Sequence, residues 1–179
     1  MTHSRSVSLS FALKVGVAAA ALPLFTASAA FSQQSQSVAK EGTVNFTNTW
    51  LVTSSSKLKV GDRSLEIYEL SGVTRSEDGG DAFNNMGFHC VGADERIGSE
   101  LRGRGACTYT DKDGDQMMTT YLAERPRQGT ATVVAGSGKF AGISGASEWT
   151  VQVAKAADDK FPRGIGSEKL HWRLSQGSQ

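Results

Sequence analysis

Three short stretches carry the residues that could do chemistry. In "SLEIYELSG", Glu69 shares a strand parity with Leu65 and Ile67. A carboxylate on an apolar face is costly unless it is paired or used. Turned into a cavity, with Ile67 beside it, Glu69 would have a raised pKa and could exchange a proton or orient the polar end of a ligand. The alternative is that Leu65 and Ile67 point outward, or that an arginine or a backbone donor satisfies the carboxylate. In "TDKDGDQ", Asp111, Asp113 and Asp115 match the first three acidic positions of an EF-hand loop. The rest of such a loop is missing: its glycine position holds Gln116, its bidentate glutamate position holds Leu122, and no helices flank it. A hairpin turn around Asp113–Gly114 is the main reading, and weak calcium binding by the three carboxylates is the other.

The third stretch, "GSGKFAGISG", places Gly136, Gly138, Gly142 and Gly145 within ten residues. It lacks the Gly-Lys-Ser/Thr ending of a Walker A loop, and "ASEWTVQV" behind it reads as strand where a dinucleotide site needs a helix. The physical account is a bend. A strand ends near Ala135, the glycines turn the chain, Phe140 and Ile143 plug into apolar surface, and the next strand begins near Ala146. No cofactor motif is present, and no nucleophile triad: past the N-terminus the histidines are His89 and His171, without a Gly-X-Ser-X-Gly elbow.

The elements that must position these residues are strands. "TVNFTNTWLV", "SLEIYELSG", "NMGFHCVG", "ACTYT", "QMMTTYLAE", "GTATVVAG", "SEWTVQVA" and "KLHWRL" recur about every ten residues with turn chemistry between them, which predicts an all-β sandwich or barrel. Trp149, Val151 and Val153 on one parity, and Leu170, Trp172 and Leu174 on another strand, read as core or wall. The polar connection "ADERIGSELRGR" separates the strands that carry Cys90 and Cys107, the two cysteines of the chain. If those strands pair as a hairpin, a cross-strand disulfide is geometrically reasonable and would contribute about 3 kcal/mol. Metal binding is the weaker alternative, because His89 next to Cys90 faces the other side of a strand.

Ahead of the strands, "VGVAAAALPLF" follows a polar start with His3, Arg5 and Lys14, and precedes "TASAA" with Ala27 and Ala29 at small-residue cleavage positions. Residues 1–29 therefore read as a secretory signal peptide, cut within about three residues of Ala29. Residues 30–41 read as a polar lead and 42–175 as one domain. The apolar run is shorter than the ~20 residues of a membrane span, so no stable span is expected after processing. Losing Arg5 and Lys14 leaves the chain near neutral, with no basic stripe or interleaved aromatics for nucleic acid. The expected location is the periplasm or outside the cell, where paired cysteines oxidise.

"ATVVAGSGKFAGISGASEWTVQ" resembles the glycine-bend hairpin of allene oxide cyclase and dirigent-type barrels. "IYEL" resembles an early strand of the plant cyclases, and "ACTYTDKDGDQMMTTY" their central hairpin. The chain is closer still to exported bacterial proteins of that superfamily, with a "VGDR" turn, a "CVG" strand and a "GSGKFAGI" bend, over about Gly42 to Leu174. The resemblance implies an eight-stranded antiparallel barrel of lipocalin-like architecture with an apolar interior, trimeric in many plant relatives. It puts the cyclases' strand glutamate on Glu69 and their interior cysteine on Cys107, while Ser71 stands where they have asparagine.

Three functions are compatible with these readings. The first is non-catalytic binding of a small apolar or amphipathic molecule in the barrel, with Glu69, Ile67 and Cys107 lining the site. The second is an isomerase or cyclase acting on a lipid-derived substrate, with Glu69 stabilising charge or accepting a proton. The third is a structural or envelope role of the outer surface, with a homo-oligomer as partner.

Overall fold

The computed structural model describes residues 39–78, 81–154 and 161–175. The expected signal peptide and most of the polar lead lie outside the described residues. Eight strands follow one another: β1 (Glu41–Val60), β2 (Arg63–Ser76), β3 (Gly87–Ile97), β4 (Glu100–Thr110), β5 (Gln116–Arg125), β6 (Gln128–Gly136), β7 (Ile143–Ala154) and β8 (Arg163–Leu174). Each pairs antiparallel with the next, and β8 returns to β1, so the sheet closes into a barrel. Closure removes sheet edges and leaves an inner and an outer face on every strand.

Alternation assigns the faces. Val44, Phe46, Phe88, Cys90, Cys107, Tyr109, Met117, Val133, Leu170 and Trp172 are buried and point inward. On β2 the inward parity is Glu66, Tyr68 and Leu70, because Leu70 lies opposite buried Val52 on β1 and buried Cys90 on β3. Leu65, Ile67 and Glu69 consequently face out, with Ile67 53% exposed. The expectation that Glu69 and Ile67 line the interior is corrected by this register.

Two polar segments outside the expected strand runs, one of them read as a connection, are strand. "ADERI" extends β3 and "ELRGRG" begins β4, leaving Gly98–Ser99 as the turn, with Gly98 at φ 59°. "SSSKLKV" extends β1 beyond a bulge between Val52 and Ser54 and pairs with β2 from Ser54 to Val60. Cross-strand partners override the weak intrinsic preference of such residues for strand.

One end of the barrel is sealed. Short 3-10 turns at Asp81–Phe83 and Gly138–Phe140 carry Phe83 and Phe140 under it. Phe83 meets Phe46, Phe140 and Trp172 at ring separations of 5.2–6.0 Å, and Met86 and Phe140 are wholly buried. Each such side chain contributes roughly 1.5–3 kcal/mol through burial. At the opposite end the inward aromatic residues Trp50, Tyr68, Tyr121 and Trp149 are only partly buried, and Arg96 on the inward parity of β3 is exposed.

Candidate functional site

The sealed end is locked by an ion pair that joins two of the stretches described above. Asp111 ends the β4 ladder in a turn. Its Oδ1 accepts hydrogen bonds from the backbone N–H groups of Asp113 and Asp115, both at 2.9 Å. Its Oδ2 meets the Lys139 ammonium from the glycine bend, which also lies 3.7 Å from Asp113. The Asp115 carboxylate in turn accepts from the backbone N–H of Lys139 at 3.2 Å. Burial alone would raise the Asp111 carboxyl, but Lys139 and the two backbone donors hold it below the usual carboxylate range. Asp111 and Asp113 thus meet the Lys139 ammonium and Asp115 its backbone N–H, so the turn's three aspartates all engage the glycine bend. Gly138 has φ 56°, and a Cβ there would lie 1.7 Å from an Asp115 carboxylate oxygen, so glycine is required for this approach. Gly136 ends β6, Gly142 follows the 3-10 turn, and Gly145 lies within β7.

Above the apolar plug, the inner wall becomes polar. Glu168 on β8 is buried, and its carboxyl accepts hydrogen bonds from Ser147 Oγ on β7 at 2.6 Å, Asn48 Nδ2 on β1 at 3.3 Å and Tyr109 Oη on β4 at 3.4 Å. The strands β1, β4, β7 and β8 thus meet through one side chain that crosses the interior. Burial pushes the Glu168 carboxyl up, and its three neutral donors oppose the rise only in part. Burial likewise raises the Tyr109 phenol, with Glu168 adding to the effect. Two buried polar atoms beside this network have no hydrogen-bond partner among the described residues: Asn48 Oδ1 and Trp50 Nε1. Thr119 Oγ1 also lacks one at bonding geometry, although it faces Tyr109 closely enough to ease the phenol's ionisation.

Nearer the end opposite the plug, the Tyr68 and Tyr121 hydroxyls are 2.8 Å apart, and Tyr68 Oη donates to Asp94 Oδ1 at 3.3 Å. Burial raises the Asp94 carboxyl, against Arg96 and the Tyr68 hydrogen bond, and burial raises both phenols as well. Small residues opposite make room for the rings. A Cβ on Gly105 would lie 2.3 Å from the Val91 carbonyl oxygen and 2.4 Å from Tyr121 Oη. Trp149 stands edge-on to Tyr121 at 6.3 Å and is register-paired with Glu168.

Of the residues singled out in the sequence, Cys107 alone among the ligand candidates lies on the inner wall, and it is bonded to Cys90 directly across the β3–β4 pair. Glu69 is outside, half exposed, 3.4 Å from His89 Nε2. Glu168 was legible by the argument applied to Glu69: it shares the parity of Leu170 and Trp172 in "SEKLHWRL", both inward. Asp94 gave no such signal, because its strand reads as a connection. A cleft of about 420 Å³ also opens at the rim, among Leu122, Arg125, Gly129, Glu148 and Trp149, drawing residues from both faces of β5, β6 and β7.

No protein-family model matches the chain, and no curated protein matches it in sequence. Among solved structures, it is similar to a pterocarpan synthase dirigent protein, with 11% identity over 76% of this chain and 92% of that one and a TM-score of 0.47. The architecture is a closed antiparallel barrel of eight strands.

Proposed function

We propose that the chain is an exported barrel that binds a small, largely apolar molecule in the half-open end of its interior, without transforming it. The observation that carries this reading is the inner wall itself: aromatic side chains and glycines surround buried polar atoms, among them Asn48 Oδ1 and Trp50 Nε1, that no group of the described residues satisfies. Buried polar groups without partners are rare in folded proteins, and a ligand that completes them accounts for their retention. The polar contact assigned in the sequence to Glu69 passes to Glu168 and Asp94. Export to the periplasm or beyond is supported by the Cys90–Cys107 disulfide, since such bonds persist in oxidising compartments.

The test is native mass spectrometry of protein purified from its own compartment without refolding. A reproducible adduct that leaves on activation is the expected result, and a bare mass together with no binding from a small-molecule library refutes the reading. The denatured mass reports the cleavage site in the same experiment.

One observation favours a second reading, an isomerase or cyclase on a lipid-derived substrate. Asp94, with its raised carboxyl beside two hydrogen-bonded phenols, is arranged as a proton donor. Turnover of an epoxide substrate that disappears in Asp94→Asn would establish it, and a blank across an epoxide series would remove it. The outer face suits a second copy of the chain: Leu51, Val73 and Ile165 stand 41–54% exposed on the adjacent strands β1, β2 and β8. Light scattering that returns a monomer mass would discard the homo-oligomer.

A further inference from the structure

We infer that the interior takes an organic cation, an ammonium group on a compact apolar body, with Glu168 as its counter-charge. This rests on the reading of the barrel as a ligand binder and adds the sign of the ligand's charge.

The first argument is the charge of the wall. The ionisable side chains that the described strands turn inward below the rim are Asp94 and Glu168, and the three phenols of Tyr68, Tyr109 and Tyr121. At the rim the charges are paired: Glu66 faces its register partner Lys57 at 3.5 Å, and Arg96 lies 4.0 Å from Asp94, which leaves Glu168 without a basic partner. A carboxylate ligand would meet like charge in a poorly screened space, whereas a cation meets opposite charge.

The second argument is what Glu168 lacks. Its residue is 8% exposed, and all three of its donors, Ser147, Asn48 and Tyr109, are neutral. Buried carboxylates are ordinarily matched by a guanidinium, an ammonium or a metal, and here the described chain supplies none of them. Because the Asn48 amide nitrogen is committed to Glu168, its unpartnered oxygen is a second acceptor beside the carboxyl, and Thr119 Oγ1, 2% exposed, is a further buried polar atom, facing Tyr109. An ammonium has three donors to give.

The third argument is the rings. Trp149 adjoins Glu168 on the neighbouring strand and contacts Tyr121 edge-on, and Trp50 follows Asn48 by two residues on the same face. Indole and phenol faces attract cations, quaternary ammonium above all. Trp50 Nε1 is a donor and cannot face the ammonium, so it suits an oxygen on the ligand's body.

The experiment is titration calorimetry of the disulfide-closed protein with four probes of one shape: 2-phenylethylamine, its trimethylammonium analogue, 2-phenylethanol and phenylacetate. Both cations should bind at least tenfold more tightly than the alcohol at pH 7.5, with no detectable phenylacetate binding. Glu168→Gln, nearly isosteric, should remove that tenfold preference of cations over the alcohol. Trp149→Leu should weaken the quaternary probe on its own account. Affinity for both cations should rise with pH as Glu168, enclosed by Ser147, Asn48, Tyr109 and Trp149, gives up its proton. Only the primary amine should weaken again as its own pKa of about 10 is passed. Equal binding of alcohol and amine, or preference for phenylacetate, overturns the cation while leaving ligand binding standing. Failure of all four probes overturns the cation, and a co-purified neutral adduct in the native mass spectrum would then show that the parent reading survives.

Discussion

Replacing Lys139 with methionine takes the ammonium from between Asp111 and Asp113 and leaves the buried Asp111 carboxylate with backbone donors only. The Lys139 side chain is 12% exposed and that of Asp111 is 3% exposed, so this pair belongs with buried ion pairs rather than surface ones. Breaking a buried pair by removing one partner costs about 3–5 kcal/mol, against about 0–1 for an exposed pair. Backbone hydrogen bonds to Asp111 keep part of the compensation, which sets the expectation near the lower figure, about 3 kcal/mol. For a domain of this size, that corresponds to a fall in Tm of roughly 6–12 °C. Urea unfolding at pH 7 with the disulfide intact measures it. The Asp111 carboxyl is held below its unfolded value, so its stabilising contribution is present above the unfolded carboxylate range and is lost as pH falls through the lowered value. Wild type and Lys139→Met should therefore converge in acid. Lys112→Ala, at an exposed lysine in the same turn, should change stability by less than about 0.5 kcal/mol. A loss below about 1 kcal/mol in Lys139→Met, or one independent of pH between 7 and 3, refutes the clasp as a stabilising element.

Glu168 behaves oppositely. Its folded carboxyl titrates above the unfolded range, so the fold binds the extra proton and stability falls as pH rises between the two values. Glu168→Gln should flatten that segment of the stability–pH curve and exceed wild type at pH 8, and a parallel curve would contradict the assignment. Phe140→Ala should cost about 3–5 kcal/mol, because a fully buried ring leaves a cavity beside Phe83; a loss under 1 kcal/mol in calorimetry would mean that the plug collapses without it. Reducing Cys90–Cys107 should cost about 3 kcal/mol, for a separation of 17 residues, and matching denaturation midpoints with and without reductant would rule that out.

The strand composition of the chain was readable because β-branched and aromatic residues recur between turn residues, and the eight-stranded barrel followed from their number and from the resemblance. The disulfide was readable because the chain's two cysteines lie in strand runs expected to pair as a hairpin. Glu168 was within reach, since it shares a parity with Leu170 and Trp172, two apolar side chains that have to be inside.

Local pattern could not choose the inward face of β2. "LEIYEL" alternates apolar and acidic residues on both parities, and a one-residue slip exchanges them all. Pairing chose: Leu70 stands between Val52 and Cys90, so Tyr68 and Glu66 turn in and Glu69 turns out. The clasp was equally out of reach, because Asp111 and Lys139 belong to different hairpins and look like independent surface charges until the closed barrel brings the β4–β5 turn against the glycine bend. The sequence carried what depends on neighbours along the chain, periodicity and turn chemistry. Tertiary structure decided which face is inside and which charges meet, since both depend on register with strands distant in sequence.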